Sequence, residues 1–256
     1  MKGKPKLAQY YSYIILTAIA SIATVLSNNL ILLVVFWGFL GLTLFLLINM
    51  ADNAEAIAKK TFIIIGGSDA IMLLGIGIIY SITGTFQMDA FKLELNNSLT
   101  IFAYICIAVA AFAKAGAMPF HTWIPGCAEN APVPVVAYLP ASLDKLLGIY
   151  LLAKISLDLF VMNDAMNILM MVVGAFTIIA AVMMALVQHN MKRLLGYHAV
   201  SQVGYMVLGI GTGNPIGIAG GLFHMLNHAV YKSCLFFNAG NVEKNAGTVD
   251  LDKLGD

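Results

Sequence analysis

Charge is what this sequence lacks most. Of its 256 residues only 11% are Asp, Glu, Lys or Arg, while 60% are hydrophobic. A soluble globular domain carries about 25% charged and 45–50% apolar residues, so this composition does not suit a fully water-facing surface. Lipid, as the solvent of the outer face, accounts for both departures. A net charge of +1 with no basic stripe gives no reason to expect nucleic acid as a partner. Cysteine is scarce too. Cys106, Cys127 and Cys234 form no CxxC pair and lie in or beside apolar segments, where they read as small buried hydrophobes, not disulfides or cluster ligands. Ser–His–Asp arrangements, phosphate loops, haem signatures and the GxGxxG fingerprint are all missing. No bond-breaking chemistry and no cofactor are expected of this chain.

What is present is a succession of long apolar runs. A spanning helix needs about 20 mostly apolar residues, which places spans at 10–27, 30–50, 61–82, 99–128, 133–155, 165–188, 195–212 and 216–240. The expected fold is therefore an all-α integral membrane protein of about eight transmembrane helices, one membrane domain over 1–256. The opening MKGKPK runs straight into a full-length apolar segment followed by more of the same, unlike a cleavable signal peptide. Within the fourth span, Gly116 and Pro119 should break the helix around residues 115–120, because proline removes a backbone donor and clashes with the preceding turn. Irregular backbone at that depth is tolerated only when buried in protein or lining a wet cavity, so the break is itself a candidate site; a simple proline kink is the alternative. The GxxxG spacings Gly209/Gly213 and Gly217/Gly221 read as close helix packing in lipid.

Lys and Arg are unequally shared between the two ends. Nine (Lys2, Lys4, Lys6, Lys59, Lys60, Lys192, Arg193, Lys244, Lys253) fall on the N-terminal side, and two (Lys92, Lys154) on the other. That bias predicts a cell-membrane protein with both termini cytoplasmic.

The remaining three of the fourteen, Lys114, Lys145 and Lys232, lie inside spans. Each costs about 2.5–3.5 kcal/mol at the bilayer centre on insertion scales, and such residues by default mark an ion or substrate pathway. Lys114 stands one turn before the expected break. Held between burial and a carboxylate, it could gain or lose a proton as its surroundings change; snorkelling to the interface is the alternative. Lys145 follows Asp144 directly, and neighbours on a helix point about 100° apart, so each should find its partner on another helix. Asp69 is a further carboxylate inside a span, and Asp69 or Asp144 could serve Lys114. His224, His228 and Lys232 form one stripe at i, i+4 and i+8. Proton relay, structural hydrogen bonding and metal binding all remain open for that stripe, although no third ligand is apparent and Met225 stands where the protease motif needs Glu. His198, Ser201, Gln202 and Tyr205, on the preceding span, could supply linking groups.

The stretch AKAGAMPFHTWIPGCAENAPVPVVAYLPASLDKLLGIYLL, followed in order by ALVQHNMKRLLGYHAVSQVGYMVLGIG, GGLFHMLNHAVYKSCLFFNAGNV and GTVDLDKLGD, resembles a known family. It is similar to the antiporter-like, ion-channel subunits of respiratory complex I, of membrane-bound energy-converting hydrogenases and of multi-subunit sodium/proton antiporters. With FWGFLGLTLFLLIN and GGSDAIML the resemblance covers nearly the whole chain. It implies that Lys114 is the broken-helix lysine, that Lys145 is the relay lysine of the next helix, and that His224, His228 and Lys232 are the later polar stripe. Asp69 matches an acidic residue of some members. Two departures stand out. Gly38 follows Trp37 where members usually carry a glutamate, and the chain corresponds to a first repeat (1–155) plus part of a second (165–256), against about fourteen helices in members.

The resemblance implies a proton-translocating subunit of a redox-driven membrane pump. That subunit would hold no metal and no redox cofactor, the electron chemistry residing in a partner module with iron–sulfur subunits. Other membrane subunits, one of them completing the second repeat, are the expected partners, and the chain is not expected to act as an independent antiporter. A subunit of a sodium/proton antiporter and a non-pumping spacer are the alternatives.

Overall fold

A computed structural model describes residues 6–255. Eight long rods dominate it: α1 (Leu7–Leu26), α2 (Leu30–Ile48), α3 (Glu55–Thr83), α4 (Ser98–Ala115) continued by the short α5 (Trp123–Asn130), α6 (Val133–Tyr138) continued by α7 (Asp144–Lys154), α8 (Asp164–Leu186), α9 (Met191–Gly211) and α10 (Pro215–Ala246). Six of these rods are long and apolar enough to cross a membrane by length and composition; α9 and α10 are as long but carry more polar residues. The chain is thus an all-helical membrane protein of about eight spans with one broken helix.

Asparagine starts five of these helices. Asn29, Asn97, Asn163, Asn190 and Asn214 each accept a first-turn backbone N–H, for example Ile31 at 2.9 Å and Ile216 at 2.8 Å, which satisfies donors that a helix start leaves open. Two helices outrun their apolar stretches. α3 begins at Glu55, not near 61, because Glu55 and Lys59 pair across its first turn. α10 continues to Ala246, past the expected 240, and its polar end is held by an ion pair between Glu243 and Lys192 at 2.9 Å. Apolarity marks where lipid ends, and the helix need not stop there.

The broken rod is central. Of its apolar window 78% is buried, and 72% for Val133–Leu159, against 28% for Leu7–Leu26 and Asp164–Leu186. Small residues let the backbones meet there. A Cβ at Gly148 of α7 would stand 2.7 Å from the Ala111 carbonyl of α4, and one at Gly209 of α9 would stand 2.9 Å from Cα of Gly221 in α10. The GxxxG expectation therefore holds for Gly209, Gly217 and Gly221. Gly213 instead lies beyond the end of α9 with φ +62° and makes the turn into α10.

The connections gather at two ends. At one, Asn29 bridges Gln87, the two-residue strands β1 (Leu93–Glu94) and β2 (Phe160–Val161) pair in parallel, and Lys92 donates to the Leu157 carbonyl at 3.0 Å. At the other, Asn190 bridges Asp250 and Arg193 faces Glu129 at 3.8 Å. Lys92 and Lys154 belong to the first end, and Lys192, Arg193, Lys244 and Lys253 to the second. Lys2 and Lys4, counted with the second, lie outside the described residues.

Candidate functional site: a polar chain through the helix break

α4 ends on Gly116, whose φ of +83° suits a residue without Cβ. Gly116 and Ala117 both donate to the Phe112 carbonyl, at 2.7 and 2.9 Å. The other freed carbonyls find side chains from elsewhere. The Trp123 indole donates to Ala113 at 3.0 Å, and Lys145 Nζ, on α7, donates to Ala115 at 3.0 Å. The Met118 amide is tied to Thr177 of α8 at 3.2 Å. The break falls over residues 116–119, within the expected window, and its backbone is anchored from three sides. A cation suits a helix C-terminus, where the macrodipole is negative, so Lys145 caps α4 as well as being buried beside it.

Lys114 occupies the last turn of α4, fully buried, with Nζ 4.6 Å from the centroid of the Trp37 ring on α2. It has no hydrogen-bond partner among the described residues. The Trp37 indole N–H, at the edge of the ring, donates to Asp69 Oδ1 on α3 at 2.8 Å. Asp69 and Asp144 are both within electrostatic reach of Lys114, but neither stands within 4 Å of its Nζ. Gly38 is exposed, and a Cβ there would meet nothing within 4 Å.

On the far side of Lys145 the chain continues. A π-helical turn, Leu139–Leu143, joins α6 to α7 immediately before Asp144; such turns recur at functional sites. Asp144 is buried with Oδ2 unpartnered among the described residues. His228 is also buried, with both ring nitrogens unpartnered and Lys145 and Lys232 within electrostatic reach. Lys232 Nζ lies 2.8 Å from His198 Nδ1. His224 Nε2 lies 2.9 Å from Gln202 Oε1, which also accepts from the Tyr231 hydroxyl at 3.1 Å. Ser201 turns back to the His198 carbonyl at 2.8 Å, and Tyr205 is half exposed with its ring edge-on to His224. Among the described residues no three His, Cys, Asp or Glu side chains group as a metal ion requires.

Of the residues singled out from sequence, Lys145 meets the break, Asp69 is joined to Lys114 by Trp37, Lys232 meets His198 and His224 meets Gln202, while among the described residues no hydrogen bond reaches His228. Sequence reading missed three contributors. Trp37 joins Asp69 to Lys114. Tyr231 shares Gln202 with His224. His121, in the turn after the break, is buried with Nδ1 unpartnered among the described residues. A histidine two residues beyond Pro119 was the available signal for the last, the family position before Gly38 was the signal for Trp37, and nothing in the sequence marked Tyr231. Buried polar groups left without partners in a lipid-enclosed protein are where water or mobile protons find a place.

Comparison with known proteins gives the chain a family and a shared fold. Residues 27–255 match the family described as NADH:quinone oxidoreductase/Mrp antiporter, TM. The chain is 32% identical to F(420)H(2) dehydrogenase subunit L of Methanosarcina mazei, covering 97% of the chain and 41% of that protein. It is 33% identical to Na(+)/H(+) antiporter subunit A1 of Staphylococcus epidermidis (98% and 34% covered). It is 34% identical to NADH-quinone oxidoreductase subunit L of Campylobacter jejuni (96% and 42%). It therefore spans between a third and a half of the length of these relatives. Two solved structures share the fold at 24% identity. One is the Mrp complex from Dietzia sp. DQ12-45-1b, with TM-score 0.85 over 92% of this chain and 45% of that one. The other is the membrane-bound sulfane sulfur reductase, an archaeal respiratory membrane complex, with TM-score 0.88 over 99% and 53%.

Proposed function

Since the chain belongs to the NADH:quinone oxidoreductase/Mrp antiporter family of membrane subunits, we propose that it is an antiporter-like, proton-translocating subunit of a multi-subunit redox-driven pump. The observation that carries this reading is the pairing of two buried lysines at one helix break: Lys114 without a hydrogen-bond partner and Lys145 on the Ala115 carbonyl. Each charge is costly in lipid, Lys114 makes no hydrogen bond among the described residues that the fold would need, and together the two give protons two stations at the break. Lys114 and Lys145 are the relay lysines in this reading, continued through water to His228, His224 and Lys232. Asp69 and Asp144 are the acidic groups that bias them.

The chain contributes a first repeat over 1–155 and part of a second over 165–256. Its partners are further membrane subunits and a redox module with iron–sulfur subunits. The cation-rich end, with both termini, faces the cytoplasm of a cell membrane. A subunit of a sodium/proton antiporter without redox chemistry is the second reading, favoured by the likeness to the Staphylococcus epidermidis protein. Purification of the chain with its native neighbours separates the two. Iron–sulfur subunits and electron-driven acidification of vesicles support the first, and exchange of sodium for protons without electron flow supports the second.

A further inference from the structure

Three side chains on three successive helices meet at one aromatic ring. Trp37 of α2 is fully buried, its Nε1–H donates to Asp69 Oδ1 of α3 at 2.8 Å, and Lys114 Nζ of α4 stands 4.6 Å from its centroid. A ring of this kind is electron-rich on its face and electron-poor at its edge. The carboxylate is on the N–H edge and the ammonium over the face, so each meets the polarity it requires. The two are also linked through the ring. A carboxylate pulling on the indole N–H enriches the ring face, which strengthens the attraction for a cation above it, as linked polar contacts polarise one another. Asp69 and Lys114 each meet the ring, one at its edge and one over its face, and make no direct ion pair.

We propose that Trp37 is a positioning residue for Lys114: it holds lysine and Asp69 in register through one indole while keeping them out of direct contact. This rests on the proton-translocation reading. A direct ion pair would fix the ammonium by a charge-assisted hydrogen bond, among the strongest a side chain makes. An aromatic face holds it without a fixed hydrogen bond and without direction. Lys114 is therefore retained beside the break yet free to turn toward water or toward Lys145, with Asp69 acting on it through the indole. Bulk packing alone would require only a large apolar side chain at position 37.

The test uses the chain with its co-purifying subunits. Of the two tryptophans of this chain, the second, Trp123, donates to the Ala113 carbonyl, so both indole N–H groups are hydrogen-bonded, and variant-minus-wild-type ultraviolet resonance Raman difference spectra cancel the bands of the other subunits. Asp69→Ala is expected to move one of this chain's two indole bands to the unbonded position, and Lys114→Met to leave both bonded. In reconstituted vesicles Trp37→Phe, which keeps a ring but loses the donor, should slow transport several-fold in a complex that still assembles. Trp37→Leu, which loses the ring, should slow it about tenfold or more. The double variant Trp37→Phe/Asp69→Ala should be no slower than the slower single variant, whereas a packing role predicts additive losses. Unmoved indole bands in Asp69→Ala, or wild-type transport in both Trp37 variants, overturn the proposal. If Lys114→Met also transports at the wild-type rate, the translocation reading itself has failed, and the band shift still reports whether the three groups are joined. Should Trp37→Leu not assemble, Trp37→Phe and the spectra decide.

Discussion

Lys145 Nζ donates to the carbonyl of Ala115 at 3.0 Å, across from one helix to the broken end of another. This one bond couples a proposed relay group to the backbone of the break. Removing it leaves a buried carbonyl unsatisfied, at a cost of about 1–3 kcal/mol. Lys145→Met is therefore expected to lower the thermal midpoint as well as transport, while Lys114→Met, which strands no hydrogen-bond partner among the described residues, should lower transport with little loss of stability. Melting of the two purified variants checks the contrast. Equal destabilisation would contradict it.

Close approach of α4 and α7 depends on Gly148, where a Cβ would lie 2.5 Å from the Ala115 amide and 2.7 Å from the Ala111 carbonyl. Forcing a methyl into such a contact costs about 1–3 kcal/mol. Gly148→Ala should destabilise the protein and weaken transport together by parting the lysines, whereas Gly77→Ala, with no atom within 4 Å of an added Cβ, should do neither. Parallel melting curves for the two alanine variants would refute this.

How much of this could be read from the residues varies by feature. The break was legible because Gly116 and Pro119 are strong local signals, and the buried lysines because charge is scarce. The asparagine caps precede their helices in the sequence, yet the apolar pattern alone misplaced the ends of α3 and α10, since helices run on where lipid stops. The π turn before Asp144 was hidden, with only Pro140 to hint at it. The Trp37–Asp69 bond joins residues 32 positions apart on different helices, and only packing brings them together. Gly38 illustrates the converse. A sequence departure suggested a missing carboxylate beside Lys114, and the structure shows an exposed position with open space around it. Asp69 is the carboxylate that reaches Trp37.

From the open space at Gly38 it follows that Gly38→Glu should fold. The family resemblance further predicts that it alters transport, by adding a second carboxylate one residue from Trp37. Vesicle transport measured for the variant alone and combined with Asp69→Ala checks this. No change in either background would show that position 38 is electrically remote from Lys114.

Gln202 accepts from Tyr231 and meets His224 at once. Gln202→Leu unpairs both, and is expected to slow transport while leaving the first part of the chain, Asp69 to Lys145, intact. Wild-type transport in this variant would remove the His224 branch from the path.

Sidedness has its own test. Cysteines introduced at Asn96 and Asp252, in a background lacking the exposed Cys234, should react with an impermeant maleimide from opposite faces of the membrane, with Asp252 on the cytoplasmic face. Labelling of both from one face would contradict the fold, and labelling of position 252 from the outer face would reverse the orientation.

The central claim is that Lys114 and Lys145 carry protons, and it is tested most directly by protons moved per electron in vesicles holding the assembled complex. Lys114→Ala and Lys145→Ala should each abolish or sharply reduce the pH gradient formed per electron while electron transfer itself continues in part. If both variants build the wild-type gradient per electron, the two lysines are no relay, and the chain is a spacer between subunits that pump.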